Sequence, residues 1–427
     1  MLDINLIREN PLKVKEALAK KLWETDFSEL LKWDEERKEK LKFVETNKAE
    51  MNRLSASVPA AKKAGEDVSK IFAKVKEIAA KNKDIEEELK LIETKIHDFL
   101  AELPNIPDED LLAGGKENNE VVRVVNKKPE FNFKMKDHVE LATSLGLVDY
   151  DRGSKIAGRG SWCYTNLGAR LEWALINFFI SEHLNDGYEF ILPPHTLNEE
   201  SGYVAGQFPK FREDVFWLNG TEPSRFLLPT AETALVNFHR NEILTEDDLP
   251  KKYFAYTPCY RREAGSYRTE ERGMIRGYQF NKVEMVQYTT AEGSDEAFEE
   301  LVRKAESLVA KLGLHYQLSK LAAGDISHGM ARTYDIEVYI PSIGIYKEVS
   351  SASNARDYQA RRGMIRYRDK ATNKTKYCHT LNASGLATSR IFPALLEQYQ
   401  QEDGSVLVPE VLQPFMGGIK VLKPIKK

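Results

Sequence analysis

Residues 254–286, FAYTPCYRREAGSYRTEERGMIRGYQFNKVEMV, decide how this chain is read. Two runs of β character flank a loop that carries five arginines: Arg261, Arg262, Arg268, Arg272 and Arg276. Successive side chains of a strand point to opposite faces. With 276–286 extended, Arg276, Phe280 and Glu284 share one face at i+4 steps, and Arg261 and Glu263 share one on the incoming strand. One surface then offers two guanidiniums, an aromatic plane and two carboxylates. Guanidinium forks bind phosphate bidentately, and a phenyl ring stacks on a purine. The set therefore suits a ligand with phosphates, a flat base and an amino group. The same spacing also describes a charged hairpin laced with surface ion pairs, each worth little.

Working outward, TPCYRREAGS at 257–266 followed by RGMIRGYQFNKVEM at 272–285 resembles motif 2 of a class II aminoacyl-tRNA synthetase, in the form used by bacterial seryl-tRNA synthetases. Further family-like segments keep the family order: MLDINLIREN at the start, LPNIP at 103–107 and LPTAE at 228–232 precede it. EVSSASNARDYQARR at 348–362, HTLNASGLATSR at 379–390 and VPEVLQPFMGG near the end follow it. LEWALINFFISEHLNDGYEFILPP at 171–194 is similar to motif 1, the dimer element, although by periodicity it reads only as a helix capped near Gly187 and then a strand.

The resemblance implies an ATP- and Mg2+-dependent enzyme that activates L-serine and charges serine tRNA, with selenocysteine tRNA as a further substrate of such enzymes. It implies that Arg261 and Arg390 are the catalytic arginines. Arg261 would lie between the α-phosphate and the serine carboxylate, and Glu263 would accept from the adenine amino group. Phe280 would stack on the ring, and Arg276 and Arg390 would hold the terminal phosphates. Arg262, Val349 and Ser350 join Glu348 and Ser351 in the implied ATP site, and Glu348 and Ser351 would hold the metal, hard oxygen ligands for a hard cation. Thr230, Ala231, Glu232, Glu284 and Ser384, with Arg261, would surround serine. A few positions depart from the usual pattern: Arg262, Ala323, Ala352, Ala383 and Ser389 stand where many members have serine, threonine, cysteine, glycine and glycine.

Toward the N-terminus the strongest periodic segment is 68–102. Ile71, Val75, Ile78, Ile85, Leu89, Ile92, Ile96 and Phe99 step by fours and threes, with Asn82 in the one polar seam position. That is an a/d heptad seam, in which a buried Asn sets register. A preceding helix over roughly 27–57 and the breakers Pro59 and Gly65 predict an antiparallel coiled-coil hairpin. Its tip, 51–76, carries Arg53, Lys62, Lys63, Lys70, Lys74 and Lys76 against Glu66 and Asp67. A basic patch at the end of a lever suits a phosphate backbone, and family members grip the long variable arm of serine tRNA with such an arm. A dimerising or protein-binding coiled coil fits the periodicity equally.

These readings give an α+β chain: a coiled-coil arm at 1–103, a linker at 104–135 where AGGKENNE is polar and irregular, and at 136–427 an antiparallel-sheet catalytic domain flanked by helices. The 427 residues carry a formal net charge of −4, so any RNA contact has to come from local basic patches. The cysteines, Cys163, Cys259 and Cys378, form no CxxC, which points to a reducing cytoplasm and no zinc site. No apolar run reaches membrane-spanning length. A P-loop, a GxGxxG turn and the class I signatures are all missing. Two rival readings remain at this stage. One is a paralogue that loads an amino acid onto a carrier protein, which would lack a full hairpin. The other is a non-catalytic coiled-coil interaction protein, which would have lost the motif 2 or motif 3 arginine.

Overall fold

A computed structural model describes residues 1–263 and 273–425, so Arg268 and Arg272 lie outside the described residues. Two compact units divide the chain. Leu2–Glu16 and Glu24–Leu103 form one, and Met1, Ala17–Trp23 and the chain from Pro104 onward form the other. This shifts the expected boundary: 17–23 was assigned to the arm, but Lys20 and Lys21 bond backbone carbonyls at Glu109, Leu111, Ser327, His328 and Met330 in the second unit.

Short helices α1 (Ile4–Glu9) and α2 (Pro11–Lys20, whose last four residues belong to the second unit) lead in the first unit to α3 (Ser28–Lys63) and α4 (Ser69–Glu102), which pair as the expected hairpin. The α4 seam faces inward as read, with Asn82, Leu89, Ile92 and Ile96 buried. On α3 the seam runs through Leu30, Asp34, Val44 and Ala61. Thirty-six residues make α3 about 54 Å long. Asn47 Nδ2 donates to Asn82 Oδ1 at 2.7 Å across the seam, so the one polar layer of α4 meets a polar partner. Near the root, Phe99 takes Phe27 and Trp33 edge-on. The sequence reading ended the first helix near 57 with Pro59 as breaker, yet α3 runs on to Lys63. Pro59 and Ser55, whose carbonyl loses its partner, both lie on the exposed face, where water takes the freed group. Gly65, at φ +74, makes the actual stop.

The second unit is built on an eight-stranded sheet. Its strands in chain order are β1 (Glu120–Val125), β2 (Glu189–Phe190), β3 (Lys251–Tyr260), β4 (Gln279–Thr289), β5 (Tyr316–Lys320), β6 (Arg332–Ile340), β7 (Ile345–Asn354) and β8 (His379–Ala387). They lie in the order β1-β5-β6-β7-β8-β4-β3-β2, antiparallel except for β2 with β3. Helices α5 (Asn166–Asn185), α7 (Ser294–Lys311) and α9 (Thr388–Gln398) contact the sheet, α6 (Ala231–Leu235) contributes Glu232 to the cavity described below, and α8 (Tyr358–Gly363) supports Glu232 through Gln359. One side of the central strands forms the core through Val283 and Met285 of β4, Ile336 of β6, Val349 and Ala352 of β7, and Ala383 of β8. The alternate residues are polar and line a cavity. No helix among the described residues is long and apolar enough to cross a membrane.

The expected linker, 104–135, is instead part of this unit. Asn105 is buried and donates to Gly329 O and Ala355 O, and Asp108 pairs with Arg332 and Arg356. Residues 120–125 form β1, at one margin of the sheet, with a register shift between Val121 and Arg123. The polar run AGGKENNE, 113–120, ends where β1 begins, which is why composition suggested a linker.

Candidate active site

Two bulges set the phase of the polar face. Between β6 and β7 the register shifts at Ile336/Glu337, leaving Val349 as the extra residue. Glu348 and Ser351, three apart, therefore line the same cavity, which strict alternation forbids. Between β4 and β8 the register shifts again, pairing Lys282 with Ala387 but Glu284 with Ser384. Gly385 sits in that step, and a Cβ there would lie 2.1 Å from His183 Nε2. The bulge thus needs glycine for close packing against α5.

The resulting cavity, about 620 Å3, is lined by Thr230, Glu232, Arg261, Glu263, Arg276, Glu284, Glu348, Ser351 and Ser384 from the sequence reading. A smaller adjoining lobe adds Phe280, Val349 and Arg390. Three implied ligands are not brought in by their side chains. Ala231 is buried in α6, Ser350 Oγ donates to Ser384 O at 2.6 Å, and Arg262 is exposed with Nη1 on Glu213 O at 3.1 Å. The two strands are also shorter than expected. β3 ends at Tyr260 and β4 begins at Gln279, so Arg261, Glu263 and Arg276 reach the cavity from the loop and share no strand face. Glu263 takes a left-handed backbone, φ +51, unusual for a side chain of its size.

One end of the cavity is a charged pocket. Lys282 Nζ donates to Thr230 Oγ1 at 2.7 Å and pairs with Glu284, all three being buried. Asn382 Nδ2 bridges Glu284 Oε1 at 3.1 Å and Glu232 Oε2 at 3.2 Å. Gln359 Nε2 meets Glu232 Oε1 at 2.9 Å, and Ser384 Oγ donates to Glu284 Oε2 at 3.3 Å. Glu232 opens onto the cavity yet is enclosed by protein. Burial and the charge of Glu284 push its pKa up to about 7, against the pull of Lys282. Two carboxylates and one ammonium leave one negative charge in excess when both are ionised. Lys282, Asn382 and Gln359 were missed from sequence. Lys282 and Asn382 stand two residues before Glu284 and Ser384 on the same strands, so alternation carried the signal. Gln359, on α8, had none.

The other end gathers arginines. Arg261 Nε donates to Pro229 O at 3.2 Å, and its guanidinium lies 5.2 Å from the Phe280 ring centroid. Arg276 Nη1 bonds Glu263 Oε2 at 2.6 Å. Arg390, in the first turn of α9, bonds Glu348 O at 2.7 Å and stands 3.5 Å from its carboxylate. Asp335 faces Ser351 across the strands, is buried, and has its Oδ1 without a hydrogen-bond partner. Burial and the charge of Glu348 hold Asp335 well above the usual carboxylate range. This oxygen set is short of positive charge and fits a hard cation. No larger group of His, Cys, Asp or Glu suited to a metal occurs among the described residues, so phosphate and water would have to complete the coordination.

On the hairpin, Lys62, Lys63, Lys70 and Lys76 are exposed as read. Arg53 and Lys74 both pair with Glu50, just outside the window counted from sequence, which trims the patch.

Comparison with known proteins matches residues 1–107 to the seryl-tRNA synthetase N-terminal domain and residues 216–399 to the tRNA synthetase class II core domain (G, H, P, S and T). The chain is 61% identical to serine–tRNA ligase 2 of Clostridium acetobutylicum over 99% of its length and 100% of the relative's. It is 45% identical to the serine–tRNA ligase of Thermodesulfovibrio yellowstonii, covering 98% of this chain and 99% of that one. The crystal structure of seryl-tRNA synthetase from Pyrococcus horikoshii complexed with ATP superposes with a TM-score of 0.91 at 35% identity, with both chains fully covered.

Proposed function

The chain belongs to the seryl-tRNA synthetase family, and from that premise we propose how its residues divide the work. It is an ATP-dependent serine–tRNA ligase with a class II core. The serine carboxylate attacks the α-phosphorus of ATP and pyrophosphate leaves; the tRNA's terminal ribose hydroxyl then attacks the acyl carbon of the adenylate and AMP leaves. Neither step demands a protein acid or base. Positioning and charge stabilisation carry them.

The single observation that carries the assignment of roles is the surplus negative charge of the Glu232–Glu284–Lys282 pocket beside Arg261. A zwitterion fits it: the ammonium meets the surplus charge while Arg261 takes the carboxylate and the α-phosphate. Ser384 and Glu284 offer the hydroxyl a hydrogen-bonding pair, which an alanine side chain would leave unanswered. Thr230 and Lys282 hold Glu284 in place. Arg276 and Glu263 would exchange their mutual bond for the phosphate tail and the adenine amino group. Phe280 offers the stacking face, and Arg390 a second cation for the phosphates. Glu348, Ser351 and the unsatisfied Asp335 oxygen would hold Mg2+, which supplies charge neutralisation on the phosphates when bound.

The hairpin tip, Arg53, Lys62, Lys63, Lys70, Lys74 and Lys76, serves as the tRNA grip within an arm, with the remainder as catalytic body. A homodimer through the 171–194 helix–strand unit, cytoplasmic residence, and selenocysteine tRNA as a second substrate complete the proposal. The full-length arm, matched over 1–107, favours tRNA over a carrier protein as acceptor. ATP–pyrophosphate exchange with each of the twenty amino acids tests the site. Serine should exceed alanine by on the order of a hundredfold or more, and equal exchange with alanine or glycine would sink it.

A further inference from the structure

One loop of the cavity is held from behind in a way the activation chemistry does not need. Ser327, His328, Gly329 and Met330 line the large cavity, but none of them lines the smaller lobe that holds Phe280 and Arg390. Their four consecutive carbonyls all accept hydrogen bonds from two residues. Lys21 Nζ donates to Ser327 O at 3.0 Å, His328 O at 3.2 Å and Met330 O at 2.9 Å. Asn105 donates through its N–H to His328 O at 2.9 Å and through Nδ2 to Gly329 O at 3.1 Å. Trp23 adds an edge-on ring contact to His328 at 5.6 Å. In sequence Lys21 precedes α3 and Asn105 follows α4, so the loop is strapped by the two chain segments that adjoin the hairpin.

Three carbonyls take all three N–H bonds of the Lys21 ammonium, and charge-assisted bonds are about twice as strong as neutral ones. Burial and the charge of Lys210 pull the Lys21 pKa down to about 7, so the strap is strongest at and below neutral pH. The bonds to this loop come from Lys21 and Asn105, neither of which is assigned to ATP or serine. With nucleotide in the arginine-rich lobe and serine against Glu284, the incoming ribose has to approach the acyl carbon from the remaining side of the cavity. The 327–330 loop is part of that side.

We propose that Lys21 is a positioning residue for aminoacyl transfer, fixing the wall against which the terminal ribose of the tRNA is set, and that it takes no part in adenylate formation. The inference rests on the serine–tRNA ligase reading, and its test separates the two. In the full-length protein, Lys21→Met should lower the single-turnover rate of serine transfer from enzyme-bound adenylate by roughly 10- to 100-fold, the cost of a misplacement of about an ångström. Serine-dependent pyrophosphate exchange, the KM for serine and ATP, and the Kd for tRNA should stay within about twofold, because they draw on other contacts. Lys21→Arg, which keeps the charge, should recover part of the loss. Should Lys21→Met not fold, Trp23→Leu carries the test: it leaves the lysine in place and should slow transfer severalfold at unchanged exchange. A parallel fall in exchange and transfer, or no fall in transfer, overturns the proposal. Failure of the unaltered protein to exchange with serine at all would instead overturn the underlying reading.

Discussion

The hairpin and the catalytic sheet both bury polar groups, to opposite ends. In the hairpin Asn47 and Asn82 answer each other at 2.7 Å, neutral and satisfied, and what they set is register. In the sheet Glu232, Glu284 and Lys282 are drawn together with one charge left over, and Asp335 keeps an oxygen without a partner. Buried polar groups are normally paired, and buried charge is costly unless matched. In the cavity, the open account marks a place where a ligand completes the set.

The sharpest way to break this contrast is Arg261→Ala, which removes the cation facing the open pocket. Exchange should fall by about a hundred- to a thousandfold with the circular dichroism spectrum intact, since one preorganised charge donor is worth about 10²–10³. A folded variant with normal exchange would make Arg261 structural. Next comes Lys282→Met, which strips the Lys282 ammonium from its place beside Glu284. Breaking a buried pair costs about 3–5 kcal/mol, so the thermal midpoint should drop by several degrees, with part of the loss restored by added serine. A variant as stable as the parent would mean that the pocket is not short of positive charge.

A smaller effect follows from Glu232. Its carboxyl, ordinarily near 4.5, is raised to about 7 by burial and by Glu284. Below that pH it is protonated and the surplus charge vanishes. The KM for serine should therefore rise as pH falls below about 7, by up to about tenfold per unit, and Glu232→Gln should flatten the profile. The folding balance runs the other way. The folded carboxyl binds its proton more tightly than the unfolded one, so without serine stability declines as pH rises from 4.5 toward 7. A KM independent of pH between 6 and 8 would remove Glu232 from ammonium binding. Smallest of all, replacing both Asn47 and Asn82 with Leu should raise stability or hold it within about 1 kcal/mol while leaving exchange untouched. A loss of exchange in that variant would erase the distinction between the two regions.

The hairpin was legible because its rule is local: steps of three and four name the inward residues, and Asn82 declared itself as the polar exception. Even there Pro59 misled, since the penalty of a helical proline depends on which face it occupies. The sheet was legible in composition but not in phase. Alternation joins Lys282 to Glu284 and Asn382 to Ser384, yet no period announces the bulge that brings Glu348 and Ser351 together. Arg261, Glu263 and Arg276 reach the cavity from a loop, where period two does not apply. Gln359 arrives from α8, across the fold. Ala352 and Ala383, two positions where the resemblance sets other residues, stand directly opposite each other on β7 and β8.

The two margins of the sheet have a consequence for life in a crowded solution of freshly made chains. An unpaired margin strand is a template on which another chain can lengthen the sheet, and indefinite addition of that kind ends in fibres. Here one margin, β2, is only two residues long. The other, β1, exposes three valines, Val121, Val122 and Val124, a composition that invites addition. Its register shift between Val121 and Arg123 breaks the flat ladder, and the guanidinium of Arg123 is tied back to Glu306. A chain that keeps its apolar margin crooked and charged discourages recruitment of its neighbours, and Arg123 with the bulge beside it works against such addition.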